Sequence, residues 1–339
     1  MNAVRLHACD GPAGLRLETI ADPTPGPGQT LVKITCAALN RRDLFIAQGR
    51  YPNVRLPCTL GADGAGSIAQ LGPGVTGPPV GTPVVIDPQL NWSDDPHEMH
   101  AFGGGRILGM PDDGTFANYV VVPAQNVYRR PLHLTVEEAA ALPLAALTAY
   151  RAVFTRGQIS AHDTVLITGV GSGVQTFALL FAKHAGARVI VTSGSDEKLE
   201  RARALGADAG VNYKRTPDWH KAVRAVCGND GPTLIIDSSG GETLARAIDL
   251  AAPSARIVIY GGTTGDATIR PYAIFWKHLT ILGTSMGSPA DFRAMLQLFE
   301  NGLRPVIDRI FPLEEAAAAM QRLADSAQFG KVVLTVSPA

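Results

Sequence analysis

The stretch Val165-Leu166-Ile167-Thr168-Gly169-Val170-Gly171-Ser172-Gly173-Val174 constrains this chain more than any other. A short apolar run ends in a glycine-rich turn, and an almost wholly apolar stretch follows from Gln175 to His184. The pattern predicts a strand, a tight turn and a helix buried on most faces. Glycines there let backbone N–H groups approach a phosphate closely. The helix N-terminus adds partial positive charge and unpaired donors. A pyrophosphate is the expected guest. The spelling is Gly-x-Gly-x-Gly-Val, so Gln175 or Val174 stands where a last glycine is expected.

The downstream sequence repeats the strand–helix alternation. Strands are expected at 188–192, near Val211, at 233–237, 256–261 and 279–283. Helices are expected at 196–205, 217–226 and 242–251 between them. That succession predicts a doubly wound parallel sheet with right-handed crossovers. Upstream, residues 1 to about 128 read as β-rich. Leu31-Val32-Lys33-Ile34 alternates, Gly81 to Ile86 forms a turn and strand, and 87–114 is a polar, glycine-rich loop. Helical patterning runs through 135–142 and 144–155, with Thr135 as N-cap. Helices at 289–300 and 314–324 and a strand at 331–336 close the chain, a tail expected to return to the first domain. The expected domains are 1–128 with 286–339, and 129–285.

With 339 residues, two domains are the natural prior. Lys+Arg and Asp+Glu are both 30, which leaves no electrostatic footprint for nucleic acid or an anionic membrane. The start, Met1-Asn2-Ala3-Val4-Arg5, lacks an apolar signal core, and the sequence contains no run of about 18 apolar residues. Cys9, Cys36, Cys58 and Cys227 are scattered with no C-x-x-C pair, so a disulfide framework is not expected. A cytoplasmic protein is expected.

Several segments together resemble the medium-chain dehydrogenase/reductase superfamily, and look most like its zinc-independent quinone-oxidoreductase branch. They are Ala38-Leu39-Asn40-x-x-Asp43, Gly61-Ala62-Asp63-Gly64-Ala65-Gly66, Gly114-Thr115-Phe116-Ala117-x-Tyr119 and Leu147-Thr148-Ala149-Tyr150. Gly171-Ser172-Gly173-Val174, Leu205-Gly206-Ala207-Asp208, Val211-Asn212-Tyr213, Asp237-Ser238-x-Gly240-Gly241 and Phe329-Gly330-Lys331-Val332-Val333 continue the match. The resemblance implies an α/β protein with a GroES-like β-barrel domain and a Rossmann doubly wound parallel sheet domain. It also implies a homodimer formed through the edge strand at 279–284.

Zinc enzymes of that superfamily carry Gly-His-Glu where this chain has Gly61-Ala62-Asp63. Their first cysteine ligand falls at Asn40, and their third ligand near Ala145. Their four-cysteine lobe maps onto 87–110, which holds no cysteine. No metal is therefore expected, since a catalytic zinc needs three protein ligands. His97-Glu98-Met99-His100 beside Asp94 and Asp95 reads as a solvated loop before a surface metal site.

NAD enzymes place an acid about 20 residues past the glycine turn to bind the ribose 2′-hydroxyl. Here the strand ends in Thr192-Ser193-Gly194-Ser195, which leaves room for a 2′-phosphate, although Asp196 lies close by. The resemblance assigns Ser193, Lys198 and Tyr213 to that phosphate and so implies NADPH; an exposed lysine and a surface tyrosine are the plainer alternative. The remaining cofactor contacts are expected at Gly171, Ser172, Gly173, Val174 and Gln175, at Ser238 and Gly240, at Tyr260, Gly261 and Gly262, and at Thr284, Ser285 and Lys331.

Without a Lewis acid, reduction of a quinone or an α,β-unsaturated carbonyl fits better than alcohol oxidation. Asn40 and Thr148 match positions that orient the ring or the carbonyl, and Tyr51 is a donor at the pocket mouth. Asp43 either binds backbone or meets a cationic partner. Arg42 either faces the substrate or belongs with Arg41 to a surface pair. Phe45 favours an apolar pocket, and Trp92 and Trp276 either line it or pack in the core. A trans-2-enoyl thioester reductase and a non-catalytic NADPH-binding sensor are the rival readings.

Overall fold

The computed structural model describes residues 1–92, 106–228 and 230–337. The surface-metal reading of Asp94, Asp95 and His97 to His100 lies outside the described residues. The chain forms two compact units, Met1–Leu147 with Gly287–Ala339, and Thr148–Met286.

In the first unit a seven-stranded sheet runs in the order Val127–Arg129, Pro83–Ile86, Asp63–Leu71, Gln29–Ala38, Lys331–Thr335 and Ile307–Pro312. Tyr119–Pro123 pairs with the long strand Gln29–Ala38 as well. A three-stranded sheet of Leu15–Thr19, Asn2–Leu6 and Cys58–Thr59 and a two-stranded one of Gln89–Leu90 and Arg106–Ile107 lie in the same unit. Val32, Ile34, Ile68, Val84, Val120 and Leu334 share one buried cluster between these strands. The C-terminal tail does return to this unit: Val333 lies opposite Ala38 and Thr335 opposite Cys36.

In the second unit six strands form one sheet. They are β1 (Thr164–Ile167), β2 (Arg188–Ser193), β3 (Ala209–Asn212), β4 (Leu234–Asp237), β5 (Arg256–Ile259) and β6 (Thr280–Gly283). Their order is β3-β2-β1-β4-β5-β6, and every neighbour is parallel. This 3-2-1-4-5-6 order is the doubly wound Rossmann topology, which binds ligands at the carboxyl ends of its strands. The strands are apolar runs because helices cover both faces. Leu166, Ile190, Ile235 and Ile257 are buried on them. The helix Gly173–His184 joins β1 to β2 and buries Phe177, Ala178, Leu179 and Phe181.

The structure corrects three expectations. The segment 129–147 belongs to the first unit, not the second. There the helix Val136–Ala140 packs on the strands Gln29–Ala38 and Asp63–Leu71, and the Leu144 amide donates to Asp63 Oδ1 at 2.8 Å. The helix expected over 144–155 is Pro143–Tyr150 followed by a π-helical turn, Arg151–Arg156. A short helix, Arg41–Ala47, lies where no helical period was visible. Among the described residues no helix is long and apolar enough to cross a membrane.

Candidate functional site

The first unit holds a buried polar cluster around Asn40. Asn40 is the N-cap of the helix Arg41–Ala47, and its backbone N–H donates to Asp43 Oδ2 at 2.7 Å in a capping box. That assigns Asp43 the backbone-binding role. Asp43 is fully buried, its Oδ1 has no hydrogen-bond partner, and burial pushes its carboxyl up to about 6.

The Asn40 side chain is held from both ends. Its Oδ1 accepts from Lys331 Nζ at 2.8 Å, and its Nδ2 donates to Asp63 Oδ2 at 2.9 Å. Lys331 Nζ also donates to Asp63 Oδ2 at 2.6 Å and to the Leu39 carbonyl at 2.9 Å. An ammonium only donates and a carboxylate only accepts, so the amide has one allowed orientation. One Nδ2 hydrogen of Asn40 is left without a partner among the described residues. Asp63 was not singled out as a functional residue from the sequence. Its signal was its place just after Ala62, where the zinc enzymes have glutamate.

Lys331 was expected beside the cofactor. In the structure its three protons all go to Leu39, Asn40 and Asp63. Gly61 brings this segment close to its neighbours. Its φ is +99°, and a Cβ there would lie 2.4 Å from the Phe116 ring.

Arg42 is buried. Its guanidinium donates to the carbonyls of Leu108 at 3.1 Å, Ile107 at 3.3 Å and Met110 at 2.6 Å. It also lies 4.9 Å from the centre of the Tyr51 ring. The guanidinium acts as a structural clamp, since its planar fork serves several carbonyls at once. Arg41 donates to Ser326 Oγ at 3.2 Å. Trp276 is 68% exposed, so it is not packed in the core.

In the second unit the glycine turn sits at the end of β1. Gly169 and Gly171 have φ of 70° and 137°, a backbone that other residues rarely adopt. Ser172 caps the helix Gly173–His184, whose first amides face the end of the sheet. Gln175 turns inward. Its Nε2 donates to the Thr168 carbonyl at 2.7 Å and to Ser238 Oγ at 2.8 Å, while its Oε1 accepts from the Ser172 amide at 3.2 Å. It is 5% exposed, so it ties β1 to the end of β4 rather than reaching for a ligand.

Ser238 and Gly240 follow β4, where Asp237 accepts from Thr168 Oγ1 at 2.5 Å and from the Gly240 amide at 2.9 Å. Tyr260, Gly261 and Gly262 follow β5, and Thr284 and Ser285 follow β6. The buried Tyr260 hydroxyl lies near Ser238 and Ser172 without a well-formed hydrogen bond, and burial raises its phenol above the ordinary range. Thr284 Oγ1 is buried and unpartnered too. Unsatisfied hydroxyls at the carboxyl ends of β5 and β6 fit a polar ligand there. Ser193 ends β2, with Lys198 on the helix Asp196–Ala204 and Tyr213 just past β3. Thr148 is buried in the helix Pro143–Tyr150.

A family profile described as zinc-binding dehydrogenase matches residues 173–301, and one described as alcohol dehydrogenase GroES-like domain matches 26–132. The chain is 39% identical over 319 residues to the zinc-type alcohol dehydrogenase-like protein C1773.06c of Schizosaccharomyces pombe, with 91% of each covered. It is 30% identical over 346 residues to a quinone oxidoreductase of Lama guanicoe, covering 98% of this chain and 97% of that one. A crystal structure of an NAD-dependent alcohol dehydrogenase superposes with a TM-score of 0.93 at 40% identity, over 99% of this chain and 100% of that one. By its two matched domains and its whole-length relatives, the chain belongs to the medium-chain dehydrogenase/reductase superfamily of oxidoreductases, whose cofactor is a pyridine nucleotide.

Proposed function

We propose that the protein is a zinc-independent, NADPH-dependent reductase of a quinone or an α,β-unsaturated carbonyl. The observation that carries this reading is the Lys331–Asn40–Asp63 lock. A catalytic zinc wants three lone-pair donors and an open position. This cluster offers an amide oxygen and a carboxylate, both already facing an ammonium. A second cation beside Lys331 Nζ would meet repulsion rather than ligands. The residues do not fit zinc.

The second unit fits a dinucleotide. The amides at the start of the helix Gly173–His184 would hold the pyrophosphate. The residues after β4, β5 and β6 would hold the rest, with Thr284 supplying a free hydroxyl. Bound NADPH would supply a hydride. The protein's share is to place donors where negative charge grows on a carbonyl oxygen. The unpartnered Nδ2 hydrogen of Asn40 is such a donor, fixed in advance by Lys331 and Asp63. Thr148 and Tyr51 are the further proposed polar groups.

Ser193 stands at the end of β2 where an NAD enzyme has an acid, which supports NADPH. The relatives' names point both ways, to an NAD-dependent alcohol dehydrogenase and to a quinone oxidoreductase. Oxidation of NADPH and NADH against quinones, enones, enoyl-CoAs and simple aldehydes tests the reading. Faster NADPH turnover with a quinone or enone is expected in metal-free buffer. Turnover of aldehydes alone, abolished by a chelator, would sink it.

We also propose a homodimer. Among the described residues β6 pairs only with β5, which leaves one side of its backbone unpaired there. Beside it Tyr272, Phe275 and Trp276 are 60%, 60% and 68% exposed, with Tyr272 stacked on Trp276 at 5.5 Å. An open strand edge next to an aromatic patch suits pairing with a second copy.

A further inference from the structure

The end of β2 carries a feature that the 2′-phosphate assignment of Ser193, Lys198 and Tyr213 leaves out. Gly194 follows β2 directly, and the segment after β3 folds over it. A Cβ on Gly194 would lie 2.9 Å from Lys214 Cε, 3.1 Å from Lys214 Cδ and 3.0 Å from Tyr213 Oη. The lysine stem and the phenol thus lie directly against the strand end at Gly194. The approach is fixed by Asn212, whose Oδ1 accepts from the Lys214 amide at 3.0 Å and the Arg215 amide at 3.3 Å. Tyr213 is tied back by its amide donating to the Ser193 carbonyl at 3.1 Å. The Lys214 ammonium forms no ion pair among the described residues.

The nearby acid is disarmed. Asp196 accepts from Asn212 Nδ2 at 2.7 Å and from Arg215 at 2.8 Å. Its carboxylate is therefore taken by the neighbouring loop instead of serving a ribose hydroxyl. Ser193 Oγ accepts from the Ser195 amide at 3.3 Å, which leaves its proton to donate. Around Gly194 stand two hydroxyl donors and one unpaired ammonium.

We infer that Lys214 is a specificity-determining cation of the nucleotide site, facing a 2′-phosphate across Gly194 together with Tyr213 and Ser193. This inference rests on the NADPH reading. Lys214 supplies charge, the two hydroxyls supply direction, and the Asn212–Arg215 pair keeps Asp196 from repelling the dianion.

The test is calorimetric binding of adenosine 2′,5′-bisphosphate and adenosine 5′-monophosphate, which differ only in the 2′-phosphate. The wild type should prefer the bisphosphate. Lys214→Met should weaken bisphosphate binding about 10- to 100-fold. Monophosphate binding should move less than about twofold, and Lys214→Arg should restore most of the preference. If the wild type discriminates and Lys214→Met does so equally well, the assignment of Lys214 is wrong while the NADPH reading stands. If the wild type binds both nucleotides alike, the NADPH reading fails and Lys214 fails with it.

Discussion

Lys331 Nζ lies 2.6 Å from Asp63 Oδ2, and neither side chain is more than 2% exposed. The pair is 268 residues apart in sequence, so it pins the C-terminal strand to the barrel formed by the N-terminal part of the same unit. Desolvation weighs against any buried ion pair, but removing one partner is worse because the other charge stays buried. Lys331→Met should therefore destabilise the protein by about 3–5 kcal/mol in urea unfolding. Adding Asp63→Asn should give back part of that loss, since the stranded carboxylate is then gone. A single-variant loss below about 1 kcal/mol would show that water reaches the pair after all.

Arg42 holds the carbonyls of Ile107, Leu108 and Met110, and its Nε is buried without a partner. Arg42→Met leaves up to three carbonyls unpaired and should cost about 2–3 kcal/mol. Catalysis per folded molecule should stay within about twofold, because the guanidinium points into the chain. A tenfold fall in kcat with unchanged stability would return Arg42 to the substrate pocket.

The parallel sheet was legible because period and length speak plainly there: apolar runs such as Val189-Ile190-Val191 alternate with helices at regular spacing. The glycine turn was legible for the same reason. The chemistry of individual polar residues was less so. Arg42 and Lys331 look like surface or ligand cations in a linear reading, and only tertiary structure brings them to carbonyls 66 and 292 residues away. Asp63 was hidden by the comparison with histidine- and glutamate-bearing relatives, which drew the eye to the missing ligand at Ala62. The helix Arg41–Ala47 was missed because its signal is a cap, with Asn40 and Asp43 three residues apart, on a segment too short for a period.

Asp87 gives a pH-dependent signature. It is fully buried, its Oδ1 accepts from the Gln89 amide at 3.0 Å, and its Oδ2 has no partner. Burial pushes its pKa from 3.8 up to about 7, against smaller opposing effects of that hydrogen bond and of Arg293. The folded state thus binds the extra proton more tightly than the unfolded one. Stability from this group is greatest at low pH and is lost as pH rises from 3.8 towards about 7. Asp87→Asn cannot titrate. The stability of wild type minus variant should therefore fall by about 1.4 kcal/mol per pH unit across that window. Asp43 shifts in the same direction but is present in both proteins and cancels. A flat difference from pH 4 to 7 would mean that Asp87 is already ionised with little penalty.

The open edge of β6 yields the last prediction. Thr280 N donates to Ala255 O and Thr284 N to Ile259 O, so these amides face β5. Alternate residues of a strand point their amides to opposite sides, which turns the Ile281 and Gly283 amides outward. Ile281→Pro removes one outward donor and spares the ladder to β5. Proline at such an edge blocks pairing with another strand. Light scattering after size exclusion should give twice the chain mass for the wild type and the chain mass for Ile281→Pro, with unchanged circular dichroism. Trp276→Glu should weaken the dimer as well, by placing a charge on the exposed aromatic face. A wild type of single-chain mass at micromolar concentration ends the homodimer proposal. A dimer that survives Ile281→Pro moves the interface away from β6.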